Sequence, residues 1–181
     1  DMVLCRNVAP LVKMCLEFIR KGQKAYVKGG DIGKTMIDLV NSSKAYNIPM
    51  LLEYLDERLY KIFKSIADKH TYLEDDQVRE FPSYVLFNEK KNVIQAIIDY
   101  ADVRTVEDIV LWIKEVFSDE KTGICLSSIH NSKGLENDRV FIIEPSLMPS
   151  RHAKLDWQFI QEDNLRYVAI TRAKRYLGFV E

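Results

Sequence analysis

Short apolar runs, each followed by a helical pattern, constrain the fold of this chain most strongly. Met2–Cys5 is a continuous apolar run of the kind found in strands buried on both faces, and Ala25–Val27 is a second candidate strand. Between them, Asn7 and Gly22 are the predicted N-cap and end of a helix. The apolar residues of this helix recur with helical spacing at Leu11, Met14, Cys15 and Ile19. This order of strand, helix and strand predicts a parallel sheet with helical crossovers.

The triplet Gly33–Thr35, Gly-Lys-Thr, lies in a further predicted helix over residues 32–40 and raises the question of a phosphate-binding loop. That loop requires a glycine, four residues and then Gly-Lys-Ser/Thr, so that successive backbone N–H groups enclose the phosphates. The first glycine position is occupied by Lys28, and Gly29 leaves only three intervening residues. We therefore predict a tight glycine turn, with Asp31 capping the helix and Lys34 on a solvated face.

Residues 46–119 are dominated by three amphipathic helical patterns. Thr105 with Asp108 predicts the N-terminal cap of the third pattern, and residues 71–82 form a polar connection between the first two. The apolar stripes are Leu55, Leu59, Ile62 and Ile66, then Val93, Ile94, Ile97, Ile98 and Ala101, then Ile109, Val110, Ile113 and Val116. Residues 46–119 are therefore predicted to be a helical insertion or side lobe within one α/β domain formed by residues 1–45 and 120–181.

Strand patterns return after Gly123, at residues 124–129, 140–144 and 176–180, and the segment 161–175 is predicted to be helical. Strands of one sheet thus lie on both sides of the insertion. The predicted fold class is α/β, a parallel sheet flanked by helices with a helical insertion.

Charge is unevenly distributed along the chain. Residues 1–45 hold 8 basic and 4 acidic side chains, residues 46–119 hold 9 and 15, and residues 120–181 hold 9 and 8. A phosphate-rich ligand should therefore meet the two ends of the chain. His70 and His152 have no partner at metal-ligand spacing, so no metal site is expected. Three separated cysteines predict reduced thiols, and apolar runs far shorter than about 20 residues predict a cytoplasmic protein with no membrane partner.

Two motifs dominate the C-terminal third of the chain. Residues 128–137 read SIHNSKGLEN before a predicted strand, and residues 162–173 read EDNLRYVAITRA. They resemble motifs V and VI of the UvrD/Rep-like superfamily 1 helicases, roughly Thr-x-His-x-x-Lys-Gly-Leu-Glu-Phe and Glu-x-x-Leu-x-Tyr-Val-Ala-x-Thr-Arg-Ala. The departures are Ser128 for threonine and Asn137 for phenylalanine. Residues 1–30 and 105–117 are similar to that family less specifically.

The resemblance implies that the chain is the second RecA-like motor domain, 2A, of such a helicase. Residues 46–119 would occupy the place of the 2B subdomain in a reduced form. ATP would lie between two lobes, with Arg172 reaching the γ-phosphate, Glu136 approaching the sugar, and Gly134 letting the backbone come close to the nucleotide. Mg²⁺ would be held mainly by the N-terminal lobe.

The resemblance also implies contacts with single-stranded DNA. Ser128, His130 and Lys133 match a loop that meets the strand, and Arg6 and Asn7 match a second DNA-side loop. The expected partners are single-stranded DNA, the N-terminal ATP-binding lobe, and proteins bound through the insertion.

The predicted function is the C-terminal motor domain of an ATP-dependent DNA helicase with 3′ to 5′ polarity. Because the chain lacks the Walker A and B motifs, it is expected to be inactive alone, and Tyr167 is expected in the core. Two alternatives remain. The first is a non-catalytic nucleic-acid-binding or adaptor module with this fold, and the second is the motor part of a helicase-nuclease.

Overall fold

Five parallel strands form one sheet in the computed structural model, which describes residues 1–119, 122–151 and 153–181. The strand order is β2-β3-β1-β4-β5. The strands are β1 (Met2–Cys5), β2 (Ala25–Val27), β3 (Ile124–Ser128), β4 (Asn137–Ile143) and β5 (Ala173–Val180). The predicted α/β class with a parallel sheet is confirmed, including strands on both sides of the helical segment.

Seven α-helices accompany these strands among the described residues. They are α1 (Val8–Arg20), α2 (Gly30–Ser43), α3 (Ile48–Lys69), α4 (Asp75–Val78), α5 (Pro82–Tyr100), α6 (Val106–Val116) and α7 (Asp156–Ile170). Two single 3₁₀ turns, His130–Ser132 and Pro145–Leu147, follow β3 and β4. None of the helices in these ranges is long and apolar enough to cross a membrane.

The two faces of the sheet are covered unequally, as the alternation of side chains in β1 illustrates. Val3 and Cys5 belong to a large core that includes buried residues of α1, α2, α3, α5 and α6. Met2 and Leu4 belong to a smaller core that α7 closes with Leu165 and Ala169. The connections that follow the neighbouring strands β1 and β4 therefore leave the sheet on opposite faces, because α1 packs on the larger core and α7 on the smaller one.

The helices of residues 46–119 pack on the larger core. Leu51 and Leu55 of α3 and Ile94 and Ile97 of α5 are fully buried there, and α5 lies along α1. The capping pair predicted at the start of α6, Thr105 with Asp108, is present.

The polar connection predicted over residues 71–82 contains a short helix, α4. Glu74 and Gln77 form its capping box, and Val78 is completely buried. Val78 is the one apolar side chain of α4, and one buried residue has no periodicity, so the signal in the sequence was too weak to predict this helix.

The cap of α2 differs from the prediction. Asp31 lies inside the first turn, and the carboxylate of Asp119 accepts hydrogen bonds from the backbone N–H groups of Gly29 (3.2 Å) and Gly30 (2.9 Å). Asp119 reaches this position because Phe117 forms a parallel bridge with Val27 at the outer edge of β2. A cap supplied from so distant a residue is invisible to local sequence rules.

Helix α7 ends earlier than predicted. It stops at Ile170, and β5 begins at Ala173 because Asn137 pairs with it and donates its backbone N–H to the Arg172 carbonyl (3.0 Å). Tyr167 is 69% exposed, so its expected place in the core is wrong. The helix instead packs through the face that carries Leu165.

The three cysteines are free thiols, as predicted. Cys5 and Cys15 are buried, and Cys125 is partly buried. Burial raises the pKa of the Cys5 thiol to about 11, which keeps it protonated and unreactive near neutral pH.

Candidate nucleic-acid and nucleotide interface

The structure places the predicted site residues at two opposite edges of the sheet. Arg6 and Asn7 directly follow β1, and Ser128 ends β3, so these residues lie at the carboxyl edge with His130. Arg172 precedes β5 and Glu136 precedes β4, so these two lie at the amino edge. The length of β4, at 3.3 Å per residue, separates the edges by roughly 20 Å.

Arg6 is anchored by an ion pair with Glu162 of α7. Its Nη2 donates to Oε1 of Glu162 at 2.8 Å, and its Nε lies 3.2 Å and 3.3 Å from the two carboxylate oxygens. The backbone N–H of Ser150 donates to the same carboxylate at 2.9 Å. Glu162 therefore joins three segments at the carboxyl edge: the end of β1, the loop after β4, and α7.

The environment of Glu162 favours its charged form. Burial is the largest single effect and raises the pKa, but the hydrogen bonds from Arg6 and Ser150 and the positive charge of Arg6 together lower it below its ordinary value. Sequence reasoning missed this residue as a site component. A signal existed, because Glu162 shares a helical face with Leu165 and Ala169, and an acid on an apolar face requires a buried partner.

His130 begins the 3₁₀ turn after β3. The hydroxyl of Ser128 accepts a hydrogen bond from the backbone N–H of Asn131 (3.3 Å), and the hydroxyl of Ser132 donates to the Ile129 carbonyl (2.8 Å), so both hydroxyls order the turn. The His130 ring remains accessible to solvent.

Partial burial and two nearby cations determine the protonation of His130. Desolvation, then the positive charges of Arg6 and Lys133, lower the pKa of His130, while Glu162 opposes them. The imidazole is therefore neutral near pH 7, with one N–H donor and one acceptor nitrogen.

Asn7 occupies the N-cap position of α1, as predicted, but its side chain makes no capping hydrogen bond. Glu89 of α5 accepts the hydrogen bond from the backbone N–H of Val8 instead, at 2.9 Å. The Asn7 carboxamide thus remains available at the carboxyl edge.

Arg172 lies in the turn between α7 and β5, where its guanidinium is fixed by three hydrogen bonds. Nε donates to the Val168 carbonyl, Nη1 to the Leu135 carbonyl and Nη2 to the Thr171 hydroxyl, each at 3.0 Å. These bonds use three of the five guanidinium N–H donors and tie α7 to the loop before β4.

Gly134 and Glu136 lie in that same loop. Gly134 has a φ of +81°, which a glycine adopts without strain, and a Cβ built at this position would meet no atom within 4 Å. Glu136 is exposed, and its carboxylate lies 3.5 Å from Nζ of Lys174. The amino edge therefore presents a guanidinium, a carboxylate and an open stretch of backbone.

The Gly-Lys-Thr triplet is part of the body of α2. Asp119 occupies the backbone N–H groups of Gly29 and Gly30, and the N–H of Gly33 donates to the Gly29 carbonyl (3.1 Å). A Cβ on Gly33 would lie 2.8 Å from Cβ of Phe117, so close packing explains this glycine.

His152, which has no partner at metal-ligand spacing in the sequence, lies outside the described residues. His70 contacts the rings of Tyr72 and Phe81, which lie in the connections between α3 and α5. Within the described ranges, no three His, Cys, Asp or Glu side chains are arranged to hold a metal ion.

A comparison with known families identifies a match to this chain. No curated protein matches this chain significantly. The model of the UvrD-like helicase C-terminal domain matches residues 33–180, which include both motifs and the last three strands, β3, β4 and β5. The five-stranded parallel sheet flanked by helices is the RecA-like arrangement expected of such a domain. The chain therefore belongs to the UvrD-like helicase C-terminal domain family, and its role is that of a helicase motor domain.

Proposed function

We propose that this chain is the second motor domain of an ATP-dependent DNA helicase, with the nucleotide at its amino edge and single-stranded DNA at its carboxyl edge. The observation that carries the proposal is the fixed guanidinium of Arg172, which bonds the loop that holds Gly134 and Glu136. The N-terminal lobe of the same helicase would hold the rest of the ATP and most of the Mg²⁺ coordination.

The residues at the amino edge fit a nucleotide. Arg172 keeps two N–H donors beyond its three internal bonds, and a guanidinium stays charged at any physiological pH. Bound ATP supplies a γ-phosphoryl group on which negative charge develops as it departs, and Arg172 would stabilise that charge. Glu136 would accept a hydrogen bond from a ribose hydroxyl, and the open backbone at Gly134 would let the nucleotide approach.

The carboxyl edge fits a nucleic-acid backbone. Arg6 and Lys133 supply positive charge, and the neutral His130 and the Asn7 carboxamide supply hydrogen-bonding groups. We assign single-stranded DNA to this edge. The 3′ to 5′ polarity is proposed from the family resemblance.

Two segments of the chain connect these edges. Residues 129–136 run from His130 to Glu136, and α7 runs from the Glu162 ion pair towards Arg172. Closure of the two lobes on ATP would move both segments relative to the bound single strand of DNA.

We also propose that residues 46–119 are a reduced counterpart of the 2B subdomain.

The proposal predicts the effect of substitutions at Arg172 in the helicase that joins this domain to its N-terminal lobe. Arg172→Lys keeps the charge but loses the planar fork, and Arg172→Ala loses both. We expect ATP turnover to fall about 10³-fold in Arg172→Ala, as for other arginines that contact a γ-phosphate, with single-stranded DNA binding retained. Steady-state ATPase rates and fluorescence anisotropy with a labelled oligonucleotide measure the two properties.

Arg175→Ala is the matched control for this experiment. Arg175 lies three residues later, is exposed, and its Nε is 3.8 Å from an Asp138 carboxylate oxygen. ATP turnover should be unchanged in this variant. Normal turnover by folded Arg172→Ala would refute the assignment of the nucleotide to the amino edge.

A further inference from the structure

A cavity of about 480 Å³ with a mixed polar and apolar lining opens at the carboxyl edge, between the segment after β1 and the loop after β4. Its walls come from Arg6 and Asn7, from residues 146–151, and from α5, which belongs to the insertion. The connections that follow β1 and β4 leave the sheet on opposite faces, so the cavity lies at a topological switch point. Crevices outside the carboxyl ends of strands at such points are where α/β sheets bind ligands.

Three carboxamide side chains line this cavity: Asn7, Asn88 and Asn92. None of them forms a side-chain hydrogen bond with the residues that the structure describes. Each offers two donors and one acceptor, so the group presents up to nine hydrogen-bonding positions to whatever enters. Carboxamides match the edges of nucleobases, where a donor and an acceptor lie side by side.

Two arginines and one carboxylate supply the charges of the cavity lining. Arg6 and Arg151 both line it, and Glu89 is the carboxylate among its lining residues. One oxygen of Glu89 already accepts the backbone N–H of Val8. The lining therefore combines two cations and one carboxylate with uncharged groups, and a volume of 480 Å³ is within the roughly 300–1,000 Å³ typical of ligand sites.

We propose that this cavity receives one nucleobase of the bound single strand. Asn88 and Asn92 of α5, together with Asn7, contact the edge of the base, and the arginines face the phosphates that flank it. This inference rests on the proposed placement of DNA at the carboxyl edge and extends it, because it gives an insertion helix a direct role in holding the strand.

The test compares two oligonucleotides of equal length and the double variant Asn88→Ala/Asn92→Ala. One oligonucleotide is a labelled thymidine strand, and the other has abasic sites throughout and so keeps only sugars and phosphates. We expect the double variant to bind the thymidine strand about tenfold more weakly than the unaltered chain and to bind the abasic strand equally well. Fluorescence anisotropy gives the affinities, and thermal unfolding verifies that the variant is folded.

Asn41→Ala is the matched control, since Asn41 is exposed on α2, away from the cavity, and should affect neither affinity. An equal loss on both strands, or no loss on either, would overturn the base site. Displacement of the thymidine strand by free thymidine monophosphate at comparable concentrations would also overturn it, because the cavity would then be a mononucleotide site.

The inference and the proposed function can fail separately. If Lys133→Ala weakens thymidine-strand binding while the double asparagine variant does not, DNA occupies the carboxyl edge but no base enters the cavity. If the unaltered chain binds neither strand, the placement of DNA at this edge is itself wrong, and the base site is wrong with it.

Discussion

At the scale of single residues, Arg6 and Glu162 illustrate how one pair organises the carboxyl edge of the sheet. Arg6 alone would be a flexible cation at the end of β1, but the carboxylate fixes its orientation and leaves its side chain 23% exposed to solvent. The sequence motif that contains Glu162 indicated its family but not its partner. Only the fold brings together two residues that are 156 positions apart.

Replacing Glu162 tests how much this pair stabilises the fold. Glu162→Ala removes charge-assisted hydrogen bonds from a part-buried site, so we expect the free energy of unfolding at pH 7 to fall by about 2 kcal/mol. Glu57→Ala, which removes an exposed carboxylate paired with Lys61, should cost less than about 0.5 kcal/mol. Urea denaturation measures both, and equal losses would contradict a special role for Glu162.

Acid should reduce the difference in the free energy of unfolding between the unaltered chain and Glu162→Gln. Folding lowers the pKa of Glu162 below its ordinary value of 4.5, so its stabilisation is complete above that value and is lost as the pH falls through the folded-state pKa. Unfolding free energies measured from pH 7 to pH 3 should therefore converge for the two proteins. A constant difference across this range would show that Glu162 does not titrate as a paired carboxylate.

At the scale of elements, periodicity predicted most of the helices and strands, and distant contacts decided their ends. The buried strand Met2–Cys5 and the capping pair that starts α6 were both predictable, because each depends on residues next to one another. The cap of α2 and the start of β5 depend on Asp119 and Asn137, which lie far away in the chain. The residues of the candidate site likewise divide into those that local motifs predict and those that only distant contacts bring to the site. Motifs indicated Arg172 and His130, whereas the asparagines of α5 join the carboxyl edge only through the fold.

Packing of α2 predicts unequal losses of stability at two neighbouring positions. Gly33→Ala gains helix propensity of about 1 kcal/mol, but the new methyl group would lie 2.8 Å from Cβ of Phe117, and overpacking of this kind costs about 1–3 kcal/mol. We expect a net loss of about 1 kcal/mol in the free energy of unfolding. Lys34→Ala, on the exposed face, should change it by less than about 0.5 kcal/mol. The reverse order of effects would contradict the packing explanation.

At the scale of the whole molecule, the separation of the two edges predicts that DNA binding and nucleotide contacts respond to different substitutions. Lys133→Ala removes a cation whose charge acts on His130 at the proposed DNA edge, so the slope of the logarithm of DNA affinity against the logarithm of salt concentration should become shallower by about 0.7. Glu136→Gln, at the opposite edge, should leave the slope unchanged. Titrations with a labelled single strand at several salt concentrations measure both slopes, and a similar change in both variants would contradict the separation.

The helix caps at the carboxyl edge have one further consequence. Glu89 at α1 and Asp119 at α2 place side-chain carboxylates where the helix dipoles attract anions. These two helix ends therefore carry built-in counter-ions, and a triphosphate would have to displace a covalently tethered competitor before it could settle there. In the proposed motor of two lobes, we therefore expect ATP to make its first contact with the N-terminal lobe rather than with these two helix ends.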